Sequence, residues 1–239
     1  MKIVGFGDSF TAGDWDREPH PDLCYIAELC KLPDSKFDCW ENHARGGYSN
    51  IQIAFAVYKY LVDNQHKFDD VFIMIGWSSF GRYSLPNFNY QDDHTSCRAH
   101  DVYEFGGNPK LYPKSTNLLI HETDIRILGI SALLKKYRVP FAMIQAFDDH
   151  TENYFSTVQN LPNWINGDNP CNTLMHIVSG QYLNNQFCKL SPNTQYFESG
   201  WIEKIQPNQY IAKCWHPSLQ GHQLIAKTLY PYLEKISVS

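Results

Sequence analysis

Short apolar runs without alternation recur along the chain, each ending in glycine or polar residues, and stretches with helical spacing separate them. Lys2 to Phe6 is one such run, and Gly5, Gly7 and Asp8 at its end predict a buried strand breaking sharply into a loop. Leu23 to Leu32 carries apolar residues at helical spacing, and Pro33 stops it. Phe37 to Trp40 is a second strand candidate, followed by the polar, glycine-bearing stretch Asn42 to Asn50 and a predicted helix over Ile51 to Val62. Val71 to Ile75 is continuously apolar, as in a strand covered on both faces, and it runs into Gly76. A helix over Leu118 to Tyr137, a fourth strand at Pro140 to Ile144 and a terminal helix over Ser218 to Leu233 complete the regular pattern. Strands alternating with helices predict an α/β fold with a mainly parallel sheet, whose chemistry belongs on the loops after the strand carboxyl ends.

Two regions break this rhythm. Pro86 to Pro113 is rich in Asn, Asp, His, Tyr and Gly, and Asp148 to Gln209 is polar, Asn-rich and aromatic. Both exceed the usual connection of roughly 4–6 residues, and long loops in compact domains are often functional. No linker or internal repeat divides the chain, so the expectation is one domain over residues 1–239 with long inserted loops at about 84–115 and 148–210.

Composition narrows the partners. Twenty Lys and Arg against 25 Asp and Glu leave a net charge of −5, which supplies no general field for nucleic acid or an anionic membrane. A small neutral or cationic substrate remains compatible with it. No window reaches the ~18 apolar residues of a membrane span, and the chain enters its first strand without a signal-peptide core, so a cytoplasmic protein is the simplest expectation. Seven scattered Cys without a Cys-x-x-Cys pair read as reduced structural thiols. The ten His show no metal-ligand spacing, so neither a metal nor a cofactor is expected.

The candidate chemistry lies at the two ends. Gly7-Asp8-Ser9-Phe10-Thr11-Ala12-Gly13 places a serine hydroxyl at the carboxyl edge of the first strand, where a nucleophile would be useful; the plainer reading is a capped glycine turn. His216-Pro217-Ser218-Leu219-Gln220-Gly221-His222 places His216 in a loop before the last helix, where it could serve as a general base or simply belong to a capping segment. His222 reads as a structural residue packed on that helix.

Together these segments resemble the SGNH hydrolases, the GDSL lipase and esterase family, in four short blocks whose order spans the chain. The resemblance implies a three-layer α/β/α sandwich of flavodoxin-like type. It implies that Ser9 is the nucleophile and that its N–H, with that of Gly47, forms the oxyanion hole. The family's Gly-x-Asn-Asp is here Gly76-Trp77-Ser78-Ser79, which puts Ser78 at the position of the third oxyanion donor. Asp8, Trp77, Arg82 and Trp215 are candidate substrate contacts around these blocks. Arg82 could reach a carbonyl, carboxylate or phosphate, or be an ordinary surface cation.

The family's Asp-x-x-His is replaced by Lys213-Cys214-Trp215-His216, and lysine cannot accept a proton from an imidazole. Three outcomes stay open: a Ser9–His216 dyad oriented by a backbone carbonyl, an acid recruited from Asp14, Asp16, Asp148, Asp149 or Glu203, or a disabled site. The expected activity is hydrolysis of an ester, an O-acetyl or short acyl group carried for example on a carbohydrate, through a Ser9 acyl-enzyme. Tyr90, Tyr103, Phe105, Tyr154, Phe155, Trp164 and Trp201 could wall a sugar site or hold the long loops to the sheet. The rival is a non-catalytic carbohydrate-binding or structural protein on a decayed SGNH scaffold. The Gly76-Trp77-Ser78-Ser79-x-x-Arg82 variant is also similar to SGNH-like proteins of tailed bacteriophages, which would place the protein in the host cytoplasm or the virion.

Overall fold

The computed structural model describes residues 1–15, 18–65, 67–78, 82–85, 98–101, 116–146, 158, 161–165, 173–175, 177–178, 209–214 and 216–236, with the backbone alone at 19, 82–85, 98–101 and 116–119. Its centre is a parallel sheet of β1 (Lys2–Phe6), β4 (Cys39–Asn42), β5 (Val71–Trp77) and β8 (Phe141–Gln145), in the order β4-β1-β5-β8. A two-residue hairpin, β2 (Asp14–Trp15) with β3 (Glu18–Pro19), follows the short helix α1 (Ser9–Ala12).

Successive side chains of a strand point to opposite faces, and the buried residues sort accordingly. Ile3, Phe72, Met74, Ala142 and Ile144 face one layer, where α2 (Tyr25–Cys30) and the C-terminal α5 (Leu219–Glu234) contribute Ile26, Leu29, Ile225 and Leu229. Val4, Phe6, Ile73, Ile75, Phe141 and Met143 face the other, where α3 (Asn50–Asp63) and α4 (Thr116–Lys136) contribute Ile53, Val57, Ile127 and Leu134. The result is the expected three-layer α/β/α sandwich. Burial on both faces explains why β5 and β8 read as uninterrupted apolar runs.

Three expectations change in detail. The second strand lies at Cys39–Asn42 rather than from Phe37; Phe37 is buried ahead of it, its ring edge-on to Phe72 at 5.3 Å. Arg98–Asp101, within the expected loop after Pro86, forms β7 and pairs antiparallel with β6 (Arg82–Leu85). Arg-Ala-His-Asp has neither alternation nor β-branched residues, so nothing in it announces a strand. The described part of the polar region after Asp148 supplies core instead of open loop: Ile165, Leu174 and Val178 join the α2/α5 layer, and Trp164, a candidate sugar wall, is only 9% exposed in the α3/α4 layer. Bridges from Met143 to Trp164 and from Gln145 to Thr173 continue the sheet there. No helix among the described residues is long and apolar enough to cross a membrane.

The sheet order reverses at β1, whose neighbours β4 and β5 follow it one after the other in the order of the sheet strands. Chains leaving the carboxyl ends of these strands diverge there and open a crevice. Two glycines seat the first helix into it. A Cβ on Gly7 would lie 2.3 Å from Thr11 Oγ1 and 2.9 Å from the Gly76 carbonyl, and one on Gly76 would lie 2.4 Å from the same hydroxyl. Thr11 is fully buried between them, so α1 can approach the strand ends only because both positions lack a side chain. Gly7→Ala is expected to lower stability by about 1–3 kcal/mol through overpacking against the stiff, buried Thr11. Urea unfolding reads this; an unchanged midpoint would show that the helix yields without cost.

Candidate active site

Asp8 ends the turn after β1 and caps α1: its Oδ1 accepts the Phe10 N–H at 3.0 Å, and its backbone carbonyl accepts the N–H groups of Thr11 and Ala12. Ser9 is therefore the first residue of α1, held at the mouth of the crevice with 7% of its surface exposed. Its backbone N–H has no acceptor among the described residues, as expected for the first turn of a helix.

His216 arrives from the far end of the chain on a tight turn. Ile211 and Pro217 form an antiparallel bridge, Ala212 N–H donates to the His216 carbonyl at 2.9 Å, and Ser218 N–H donates to the Tyr210 carbonyl at 2.9 Å. Ser218 then caps α5, its hydroxyl accepting the Gly221 N–H. This turn brings His216 Nε2 to 2.8 Å from Ser9 Oγ, across 207 residues of sequence. The Phe10 ring lies against the imidazole, with centroids 5.4 Å apart.

The other ring nitrogen settles the protonation. His216 Nδ1 is 2.9 Å from the Cys214 carbonyl, which can only accept. Nδ1 must therefore carry the proton in the neutral ring, and Nε2 is left as the acceptor for the serine hydroxyl. Lys213, at the position of the family's aspartate, is exposed. Of the three outcomes left open above, the geometry has the form of the first, a dyad oriented by a backbone carbonyl.

Gly46 and Gly47 lie on the β4 side. Gly47 has φ +81°, in the left-handed region, and a Cβ there would meet nothing within 4 Å. Gly46 is needed for a different reason, because a Cβ on it would fall 2.3 Å from Asp14 Oδ2. Just beyond, Ser49 and Gln52 form a reciprocal capping box that starts α3. Ser9, Asp14, Glu18, Arg45, Gly47 and His216 share a cavity of about 660 Å³.

Ser78 is held by its backbone: its N–H donates to Asn50 Oδ1 at 2.8 Å, and its carbonyl accepts from Asn50 Nδ2 and Gln145 Nε2 at 2.9 and 2.8 Å. Its hydroxyl donates to Asp8 Oδ2 at 2.8 Å. One hydroxyl has one hydrogen, so in this arrangement Ser78 supports the cap of α1 instead of pointing a donor at an oxyanion. Two candidate substrate contacts change for a related reason. Asp8 and Trp77 have no exposed surface, and Trp77 packs in the α3/α4 layer, so neither offers a face to a ligand. Arg82 begins β6, with its side chain outside the described residues, and Trp215 lies outside them altogether.

Sequence reasoning singled out neither Gly46 nor the pocket position of Asp14, which it weighed only as an acid for His216. Asp14 is half-buried, and burial raises its carboxyl above the ordinary range against the opposing charge of His216. Asp16, Asp148, Asp149 and Glu203 lie outside the described residues.

No family model matches the chain, and no curated protein does. Solved structures do. The chain is similar to TesA at a TM-score of 0.53 and 11% identity, covering 98% of each chain. It is also similar to the psychrotrophic esterase EstA from Pseudoalteromonas sp., at 0.48 and 12% over 98% of this chain and 97% of that one. A third is the acetyl xylan esterase AlAXEase, at 0.47 and 12% over 97% and 99%. At such identities the likeness to TesA speaks for the fold, and the chemistry has to be argued from the site.

His222 lies beneath this site. Its Nδ1 accepts the Tyr25 N–H at 3.2 Å, and its ring packs against Trp15 and Tyr25. Burial first, then the nearby His216 and His20, lowers its pKa from 6.5 to about 3. In the unfolded chain the same imidazole takes up a proton near its ordinary value. Between these two values the unfolded chain binds more protons, so His222 makes stability fall as pH falls from about 6.5 toward 3. His222→Gln should flatten that slope when urea midpoints at pH 7 and pH 4 are compared with wild type; equal slopes would show that His222 stays accessible to protons in the fold.

Proposed function

We propose that the chain is an SGNH-type serine hydrolase that cleaves an ester, an O-acetyl or short acyl group such as one carried on a carbohydrate. The observation that carries this reading is the 2.8 Å contact between His216 Nε2 and Ser9 Oγ, with Nδ1 committed to the Cys214 carbonyl. The four motif blocks and a fold like that of TesA support it.

In the proposed reaction His216 Nε2 takes the Ser9 proton as Oγ attacks the ester carbonyl. The N–H groups of Ser9 and Gly47 stabilise the resulting oxyanion, both being without an acceptor among the described residues. The imidazolium returns its proton to the leaving alcohol, giving an acyl-Ser9 ester. Water, deprotonated by the same nitrogen, then releases the acid and restores Ser9. Throughout, the Cys214 carbonyl holds the Nδ1 proton and so keeps Nε2 directed at Ser9. A carbonyl dipole stabilises an imidazolium less than a carboxylate would, and removing the acid of a serine triad costs about four orders of magnitude in one worked protease. The dyad is therefore expected to turn over slowly beside a full triad. The meeting of Ser9 and His216 in one hydrogen bond supports the reading of residues 1–239 as a single domain.

Ser9→Ala and His216→Ala should each lower p-nitrophenyl acetate hydrolysis by roughly tenfold to a hundredfold, the part of a triad's rate that survives the loss of its acid, and Ser9→Ala should abolish covalent labelling by a fluorophosphonate. Equal hydrolysis by all three proteins would overturn the assignment.

A further inference from the structure

Asp14, Glu18 and Arg45 are charged groups of the cavity that have no part in the dyad. Asp14 sits on β2 and Glu18 on β3 of the small hairpin after α1, and both line the cavity that holds Ser9 and His216. Asp14 Oδ2 lies 2.3 Å from the point where a Gly46 Cβ would stand, and Ser9 Cβ lies 3.9 Å from that same point. The carboxylate is thus within about 6 Å of the nucleophile's Cβ, close enough for its charge to be felt at the reacting carbonyl.

The Asp14 carboxylate has neither a hydrogen-bond donor nor an ion pair among the described residues. The imidazole that could have used it as an acceptor gives its Nδ1 proton to the Cys214 carbonyl instead. Half-buried carboxylates without donors are costly, and one beside a forming oxyanion also works against the reaction. Both costs are offset if the substrate itself brings a donor to that wall.

Resting on the ester-hydrolase reading above, we infer that Asp14 is a specificity residue that accepts a hydrogen bond from the alcohol part of the ester. The preferred substrate then carries an O–H or N–H donor close to the scissile bond, as a polyol or an ammonium alcohol does, and an anionic group there is repelled. Gly46 is part of the same device, since any side chain on it would push the carboxylate away from Ser9.

The test compares kcat/KM for four acetate esters in wild type, Asp14→Ala and Asp14→Asn. The esters are 1-monoacetylglycerol, the acetate of 3-(dimethylamino)propanol, propyl acetate without a donor, and acetoxyacetate with an anion. The ratio of at least one donor-bearing ester to propyl acetate should fall roughly tenfold in Asp14→Ala, while the acetoxyacetate ratio rises. A loss with the glycerol ester that Asp14→Asn largely restores identifies a hydroxyl donor, and a loss with the ammonium ester that Asn does not restore identifies a cation. Asp14→Asn is nearly isosteric and removes the charge, so its acetoxyacetate ratio should rise even where Asn restores the hydroxyl contact, which keeps the inference testable should the alanine variant fold poorly. Equal changes for all four esters, or unchanged ratios, would overturn the inference while leaving the esterase standing. Absence of any Ser9-dependent turnover would overturn both.

Discussion

The hydrogen bond from His216 Nδ1 to the Cys214 carbonyl is the contact on which the site depends. An imidazole that serves as a base toward Ser9 must present a bare Nε2, and in the neutral ring that requires the proton on the other nitrogen. Where an aspartate usually holds that proton, this chain has a solvent-facing Lys213, and the acceptor is a main-chain oxygen two residues before the histidine. A backbone oxygen is fixed as firmly as the turn that carries it. Here the turn is closed by two 2.9 Å hydrogen bonds and leads directly into the capped N-terminus of α5. Orientation is thereby retained without a charge, and what is given up is the carboxylate's attraction for the imidazolium.

The same economy of parts runs through the strand ends. Asp8 caps α1 and accepts the Ser78 hydroxyl, and Ser78 is itself clamped by Asn50 and Gln145. This buried relay ties α3, β5 and β8 to the turn that presents Ser9. Ser78 therefore has a structural task at this position: its hydroxyl reaches Asp8 and reinforces the helix that carries Ser9. The proposed oxyanion hole then rests on backbone N–H groups, which cost little to keep in place because helix and turn geometry already fixes them.

Much of this was legible in the sequence. Continuous apolar runs, ending in glycine for β1 and β5 and at Gln145 for β8, located these strands to within a residue or two, because burial on both faces removes the alternation of a half-exposed strand. Ser9 and His216 were legible from their motifs at the ends of the chain. The acceptor for Nδ1 could be raised only as one of three outcomes, because a main-chain carbonyl carries no residue signature. Asp14 was visible only as one acid among several, since nothing local reveals that Gly46 vacates the space its carboxylate fills. Trp77, beside a motif block, and Trp164, in a long polar region, misled for a common reason: an aromatic residue reads the same in sequence whether it faces a ligand or the core, and here both face the core.

The claim at the centre is that a backbone carbonyl fixes the working tautomer of His216. Nitrogen-15 NMR of the imidazoles near neutral pH, with His216→Gln to assign the signal, tests it most directly. The geometry predicts a His216 ring protonated on Nδ1 and bare on Nε2, with Ser9→Ala leaving the Nδ1 proton in place. A ring protonated on Nε2, or one exchanging freely between the two tautomers, would contradict the account.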